Sequence, residues 1–333
     1  MSDALLAEIF VGLMGLAVLV YAILDGYDLG VGILLPLDAH REVDRDRMIA
    51  SIGPFWDANE TWLVLAVGLL LIAFPKAHSL ALYHLYLPTA FMLIGLILRG
   101  VAFDFRAKAH VDHKLGWDRT FKIGSILTAL TQGYMLGLFV MGFDQSLPSI
   151  VFALVASFGV AAAFAYIGAA WLVWKAEGDL QKQAITWSKR AGRVAFIGVI
   201  AVCFVNLLVN PSVFAKWFEF PLVMFVLLIP SVCFCAFVLN EILLSRMPRQ
   251  DDSYAWVSFL FVVTIFVCCF FGVAFSFFPD IVPGKMTIYE SMSAPESLSF
   301  LLVGAVVVVP AIIGYTAFSY YVFRGKVNDL TYH

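Results

Sequence analysis

The stretch that decides the fold is Leu5–Leu24, LLAEIFVGLMGLAVLVYAIL, and it runs directly into Asp25-Gly26-Tyr27-Asp28. An apolar run of this length is enough to cross a bilayer as an α-helix, which takes about 20 residues, whereas a barrel strand takes about 10. No basic segment precedes the run and no A-x-A cleavage site follows it. We therefore expect a retained first transmembrane helix rather than a removed signal peptide.

Eight similar runs follow, and the composition agrees with them: 62% of the residues are hydrophobic and only 14% are charged. A soluble fold cannot hide that much apolar surface. The sequence therefore predicts an all-α polytopic membrane protein with nine transmembrane helices. The predicted spans are Leu5–Leu24, Ile52–Ala73, Leu80–Phe103, Phe121–Gly142, Ile150–Trp174, Ala191–Val209, Phe220–Leu244, Tyr254–Phe278 and Leu298–Phe323.

Lysine and arginine are distributed unevenly between the two sides of such a chain. Three of them, Lys76, Lys216 and Lys285, fall on one side, Arg99 falls within a span, and the other 17 fall on the opposite side. By the positive-inside rule, this bias places the C-terminus in the cytoplasm and the N-terminus outside. The 17 are Arg41, Arg45, Arg47, Arg106, Lys108, Lys114, Arg119, Lys122, Lys175, Lys182, Lys189, Arg190, Arg193, Arg246, Arg249, Arg324 and Lys326.

The gaps between spans are short, so we expect a single membrane-embedded helical domain, 1–333. Within it, we predict two four-helix bundles plus a peripheral helix: 1–142 with the acidic motifs, 143–278, and then 279–333 as an external loop, last helix and tail. Small residues such as Gly26, Gly30 and Gly168 predict close helix packing in the first and fifth spans. The net charge of -3 and the lack of a basic cluster argue against a nucleic-acid partner.

Ionisable residues gather near the ends of the first three spans. They form the pairs Asp25 and Asp28, Asp57 and Glu60, and Arg99 and Asp104. The first two pairs are spaced three apart, which places each pair on one helical face. Given the predicted orientation, all six groups converge at the cytoplasmic ends of their helices, where they could form one network.

Two interpretations of these charges compete. In the first, they are helix-terminal groups wetted by the cytoplasm, with Arg99 snorkelling and the helix dipole stabilising Asp57 and Glu60. In the second, they form a proton path, or Asp28 and Asp104 bind a hard cation, because carboxylates are costly in lipid and usually functional there. Asp57 precedes an apolar helix, so we expect it to be buried with Arg99 as its counter-ion.

The remaining chemistry-bearing residues point to no catalytic centre in this chain. The six histidines, His40, His78, His84, His110, His113 and His333, show no facing pair at mid-membrane depth, and we interpret His84 as a satisfied interfacial residue. The five cysteines have no CxxC, haem-attachment or zinc spacing, so buried, inert thiols are expected. There is no phosphate-binding loop, dinucleotide fingerprint or nucleophile elbow. A role as one subunit of a larger complex accounts for this pattern.

Three N-terminal motifs carry a family resemblance. The string 24–32, LDGYDLGVG, resembles the first-helix motif of subunit II of cytochrome bd-type quinol oxidases. The string 56–62, WDANETW, is similar to that family's Trp-Asp-Gly-Asn motif, with Ala58 in place of the common glycine. The string 99–106, RGVAFDFR, resembles its third-helix signature. The resemblance runs nearly end to end, although 121–253 matches mainly in hydropathy.

The resemblance implies a nine-helix subunit II of the bacterial cytoplasmic (inner) membrane, paired with a larger subunit I. That partner holds two b-type haems and one d-type haem, oxidises quinol and reduces oxygen to water, while subunit II ligates no haem. By the same resemblance, Asp25, Asp57 and Arg99 support the haem interface or a cytoplasmic proton supply. We assign Glu60 to the same role from its place in the acidic cluster. Asp28 and Asp104 match positions for a structural cation or the same path.

Some members of the family also bind a structural quinone, and whether a small single-helix accessory subunit joins is left open. Two other interpretations of the chain stay open from its residues alone. The first is a stand-alone transporter that couples protons or a cation to transport, although its prolines form no matched pairs of broken helices. The second is a purely structural membrane scaffold.

Overall fold

The computed structural model describes residues 2–108, 111–248 and 254–327. Its helices are α1 (Asp3–Leu34), α2 (Glu42–Ile52), α3 (Trp56–Ala73), α4 (Pro75–Lys108), α5 (Val111–Val140), α6 (Leu147–Lys175), α7 (Gly178–Val209), α8 (Pro211–Trp217), α9 (Val223–Val226), α10 (Leu228–Ser245), α11 (Ala255–Phe277), α12 (Ile288–Ser291) and α13 (Pro295–Val322). A short antiparallel hairpin, β1 (Asp280–Val282) and β2 (Met286–Thr287), precedes α12. His110, Arg249 and His333, which entered the sequence argument, lie outside the described residues.

The fold class is confirmed. Within the described residues, nine helical segments are long and apolar enough to cross a membrane: α1, α3, α4, α5, α6, α7, α9 with α10, α11 and α13. The helices are longer than the apolar runs that predict them. The first is the clearest case, because α1 continues ten residues past Leu24 to Leu34.

The extra turns of α1 are held by close packing on α6. A Cβ atom added at Gly30 would lie 1.8 Å from the carbonyl oxygen of Phe164, and one added at Gly168 would lie 2.6 Å from the Cα of Gly30. The two backbones therefore touch where small residues meet, as the small-residue stripes predict. Asp25 and Asp28 consequently lie inside a buried helix rather than at its wetted end, which corrects the sequence-based expectation.

Helix α1 is the centre of the bundle and packs against α3, α5, α6 and α11. Helix α13 is peripheral, with only Leu298, Val309 and Ser319 buried. At the end of the bundle that holds the start of α1, the Tyr289 hydroxyl donates to Glu8 at 2.9 Å. The segment between α11 and α13 therefore covers that end.

The cysteine prediction is only partly correct. Cys233 is buried, but Cys203 and Cys235 are exposed on the apolar outer surface of the chain, and Cys268 and Cys269 are half-buried. All five thiols are free. Apolar helices place many side chains toward lipid, so an apolar neighbourhood in sequence does not imply burial within the protein.

Candidate functional site

The candidate site is built around Arg99 of α4 and Asp25 of α1, which form an ion pair with both side chains fully buried. Glu60 of α3 approaches the same guanidinium at 3.7 Å and is 26% exposed. The site therefore joins three successive membrane spans. A carboxylate buried at this depth needs such a partner, because an isolated charge in a low-dielectric interior is strongly disfavoured.

Asp57 does not occupy the position predicted for it. Its side chain is exposed, and the counter-ion of Arg99 is Asp25, so the prediction of a buried Asp57–Arg99 pair is wrong. Asp57 lies in the first turn of α3, where free backbone N–H groups and the helix dipole stabilise a carboxylate that faces outward. The neighbouring Trp56 packs inward instead, and its ring centroid lies 4.9 Å from that of Phe103.

Asp104 is likewise exposed near the end of α4, whereas Asp28 is fully buried. Among the described residues, no group of three or more His, Cys, Asp or Glu side chains is arranged to hold a metal ion. The structure thus brings Asp25, Asp28, Glu60 and Arg99 into one cluster, and it places Asp57 and Asp104 on the surface. The expectation that all six groups converge is corrected accordingly.

Asn59 is the site residue that the sequence argument missed. Its amide nitrogen donates to Asp28 at 2.8 Å and to the hydroxyl of Tyr27 at 2.9 Å. Its side-chain oxygen accepts from the hydroxyl of Tyr320 at 3.2 Å, and the hydroxyls of Tyr27 and Tyr320 are 2.5 Å apart. The only signal in the sequence is the place of Asn59 between Asp57 and Glu60 in the second motif.

Several buried polar atoms of the cluster lack a hydrogen-bond partner within the described part of the chain. Asp25 Oδ2, Asp28 Oδ1 and the Nε and Nη1 atoms of Arg99 are buried and have no hydrogen-bond partner among the described residues. Buried polar groups are almost always satisfied, and bound water commonly supplies the missing partners. These four atoms are therefore the positions of the cluster at which bound water would supply a partner.

A second ionic network, which the sequence argument also missed, ties α2 to α4 and α5. Asp118 is fully buried and accepts from Arg45 at 2.7 Å and from Arg106 at 2.5 Å. Arg106 also bonds Asp46 at 2.6 Å. Each pair is distant in sequence, so no local spacing signals it. The network fixes the short helix α2 against the ends of the long ones.

The described histidines add no ligand pair to this site. The ring of His84 stacks on Phe143, with centroids 5.3 Å apart. Its Nδ1 atom has no hydrogen-bond partner among the described residues, so the interpretation of His84 as a satisfied residue is not supported.

Fold and site together define a polytopic helical membrane protein with a charged cluster buried between its first three spans. The family model described as cytochrome bd terminal oxidase subunit II matches residues 6–323. The chain belongs to this family. The resemblance carried by the three N-terminal motifs is therefore confirmed.

Similar proteins agree with this assignment. The chain is 27% identical to cytochrome bd ubiquinol oxidase subunit 2 of Bacillus subtilis, over 97% of this chain and 95% of the relative. It is 26% identical to cytochrome bd-I ubiquinol oxidase subunit 2 of Escherichia coli K12, over 95% and 93% respectively. The fold matches a chain of the bd oxidase structure from Geobacillus thermodenitrificans with a TM-score of 0.77 and 18% identity, over 96% of this chain and 98% of that one.

Family membership makes this chain one subunit of a terminal oxidase, an oxidoreductase complex that contains haem and a subunit I. It also fits a multi-pass protein of the bacterial inner membrane, given the nine candidate spans in the described part of the chain. The alternative of a stand-alone transporter is not supported.

Proposed function

We propose that this chain supports a larger haem-bearing subunit I in oxidising quinol and reducing oxygen to water, and that it supplies protons from the cytoplasm. The substrate assignment is supported by the relatives described as ubiquinol oxidase subunits. The family resemblance assigns two b-type haems and one d-type haem to subunit I. The bias of 17 to three in lysine and arginine supports a cytoplasmic position for the C-terminus.

The observation that carries the proton role is a graded series of carboxylates. Asp57 and Asp104 are exposed, Glu60 is 26% exposed, and Asp25 and Asp28 are fully buried. Exposed carboxylates can exchange protons with water, and buried ones can hold a proton away from it. A proton could therefore step from the surface through Glu60 to the buried pair.

The carboxylate oxygens of the cluster that lack a hydrogen-bond partner are suited to proton transfer. Arg99 balances the negative charge of Asp25 while Asp25 Oδ2 and Asp28 Oδ1 stay free to accept a proton or a water molecule. Water bound at these atoms would link carboxylates that lack direct hydrogen bonds to each other. Because oxygen reduction consumes protons, drawing them from the cytoplasm separates charge across the membrane without a pump.

The cation alternative for Asp28 and Asp104 receives less support from the geometry. Asp28 is buried and bonded to Asn59, and Asp104 is exposed. A hard cation instead prefers several oxygen ligands around one point. A structural quinone and a small single-helix accessory subunit remain predictions from the resemblance. The exposed apolar faces of α4 and α13 suit contact with lipid or with subunit I.

The test uses the complex with subunit I reconstituted in vesicles, comparing Asp25→Asn and Asp57→Asn with the wild type. Asp179→Asn is the control, because that side chain is 97% exposed and lies at the start of α7, away from the cluster. Quinol-driven oxygen consumption, proton uptake from the cytoplasmic side and the visible haem spectrum are measured on each sample.

We expect both variants to keep the haem spectrum and to lose oxygen consumption and proton uptake in proportion, with the larger loss for Asp25→Asn. Normal oxygen consumption with a normal spectrum would contradict a role in proton supply. Loss of haem bands in an Asp25→Asn complex that still holds both subunits and remains folded would also contradict it, and would assign the cluster to support of the haem interface instead.

A further inference from the structure

We infer that Tyr320 of the last helix is a positioning residue for Asp28, and that it acts through a closed ring of hydrogen bonds with Asn59 and Tyr27. The inference deepens the proposed proton role of the acidic cluster and rests on it for its functional meaning. The ring itself joins α1, α3 and α13, three helices that are far apart in sequence.

The directions of the hydrogen bonds close the ring without ambiguity. Asn59 Nδ2 donates to the Tyr27 hydroxyl at 2.9 Å, and the Tyr320 hydroxyl donates to Asn59 Oδ1 at 3.2 Å. The remaining contact, 2.5 Å between the two hydroxyls, must then carry the proton of Tyr27, because that of Tyr320 is already engaged. Each member donates once within the ring and accepts once, an arrangement in which hydrogen bonds reinforce one another.

Acceptor groups and Tyr320 together hold the Asn59 amide in one orientation. The two hydroxyls alone would suit either orientation, because each can donate or accept. The Leu24 carbonyl, at 3.4 Å, and an ionised Asp28 can only accept, so they fix the amide nitrogen and leave its oxygen to Tyr320. In that orientation the second N–H of Asn59 donates to Asp28 Oδ2 at 2.8 Å, and no other described side chain donates to Asp28. The state of Asp28 therefore depends on an amide that Tyr320 holds in place.

Stacking fixes the two hydroxyls as well. The Tyr27 ring stacks on Trp171 with centroids 4.2 Å apart, and the Tyr320 ring stacks on Phe55 with centroids 4.5 Å apart. Just beyond Tyr320, the Lys175 ammonium group donates to the carbonyls of Phe323 at 2.9 Å and of Gly325 at 3.0 Å. Helix α13 has few other buried residues, so these contacts at its C-terminal end are the ones that attach it to the site.

The test compares Tyr320→Phe and Tyr27→Phe with Tyr321→Phe in the purified complex. Each of the first two opens the ring by removing one hydroxyl and keeps the stacked ring. Tyr321 neighbours Tyr320 on the same helix, but it is 63% exposed on the apolar outer surface, which makes it a matched control. The infrared band of the Asp28 carboxyl is identified by its loss in Asp28→Asn.

We expect that band to shift in Tyr320→Phe and in Tyr27→Phe, and to stay in place in Tyr321→Phe. The midpoint of the pH profile of oxygen consumption should move by about 0.7 pH unit in the same two variants, which corresponds to the loss of one hydrogen bond. The two variants open the same ring from opposite sides, so either one alone decides the question if the other does not assemble.

A double variant adds a second criterion. Each single change removes two of the three ring bonds, and the bond between the two hydroxyls is lost in both. Tyr27→Phe combined with Tyr320→Phe should therefore lower the melting temperature by less than the sum of the two single losses. Additive losses, or an Asp28 band that stays in place when the ring is opened, would overturn the inference. Neither result depends on turnover, so the proton role could fail while the ring is confirmed, and the reverse could also occur.

Discussion

Arg99 forms its ion pair with Asp25, which lies on α1 shortly before the Gly30 contact with α6, and not with Asp57. Both partners are fully buried, whereas Asp57 is exposed at the start of α3. The two aspartates therefore have different physical roles. Asp25 neutralises the charge of Arg99 inside the bundle, and Asp57 contacts water or a partner at the edge of the bundle.

This difference predicts unequal effects on stability for the same substitution. Asp25→Asn leaves the buried guanidinium with Glu60 alone, at 3.7 Å, and should destabilise the protein by about 3–5 kcal/mol. Asp57→Asn removes an exposed carboxylate and should change stability by about 0.5 kcal/mol or less. Thermal unfolding of the two purified complexes, followed by tryptophan fluorescence, measures both. Equal losses of melting temperature would argue against the pairing.

The contact between α1 and α6 predicts a strong effect of a single methyl group. Gly30→Ala would push a Cβ atom to 1.8 Å from the Phe164 carbonyl oxygen, a backbone atom that cannot move aside easily. We expect a loss of at least about 1–3 kcal/mol, the usual range for overpacking, together with poor assembly. Yield and melting temperature of the purified complex are the measurements.

Gly12→Ala provides the matched control on the same helix. No atom lies within 4 Å of a Cβ atom added there, and alanine favours a helix over glycine by up to about 1 kcal/mol. We therefore expect unchanged or slightly raised stability. A comparable loss in both variants would mean that the effect comes from the helix itself and not from the contact.

The spans and the acidic motifs could be predicted from the sequence because both depend on local composition. Apolar runs of bilayer length identify the helices, and their charged neighbours identify the site. The end of α1 could not be predicted in this way. Gly26 and Gly30 are poor helix formers, and they stay helical because α6 packs against them and buries their backbone.

The choice of partner for Arg99 could not be predicted either. Asp25 and Asp57 both border apolar runs, and only the rotation of α3 about its own axis turns Asp57 outward. Tyr320 is separated from Asn59 by 261 positions, and Asp118 from Arg45 by 73. Contacts of this kind follow from the packing of long helices, which no spacing rule in a single sequence encodes.

The loop between α5 and α6 predicts a pH dependence. Asp144 accepts hydrogen bonds from the hydroxyls of Ser146 and of Ser149, the latter at 2.7 Å, and these bonds lower the pKa of its carboxyl group. A lowered pKa in the folded state means that the stabilisation is complete above the unfolded value of about 3.9 and is lost as the pH falls through the folded value.

Asp144→Asn should accordingly lower the melting temperature at neutral pH, and the difference from the wild type should shrink as the solution becomes more acidic than about pH 4. Gln145→Asn, at an exposed neighbouring position without a titrating group, should show no such convergence. Melting curves of the complex across this pH range measure both. A difference that grows on acidification would contradict a carboxyl pKa that is lowered by folding.

The last prediction concerns the ionic network that fixes α2. Asp118→Asn would remove the only carboxylate that Arg45 and Arg106 share, at 2.7 and 2.5 Å, and would leave the mostly buried Arg45 without a carboxylate partner among the described residues. We expect a loss of about 3–5 kcal/mol, because a buried charge that loses its partner keeps the full cost of its desolvation. Asp46→Asn is the control, since Asp46 contacts the same Arg106 but its side chain is 43% exposed, and such pairs contribute at most about 1 kcal/mol.

Limited proteolysis shows which part of the fold is destabilised: cleavage near α2 should accelerate in Asp118→Asn and remain slow in Asp46→Asn. If both variants resist protease equally, the network does not hold α2 in place and this part of the fold depends on apolar packing alone.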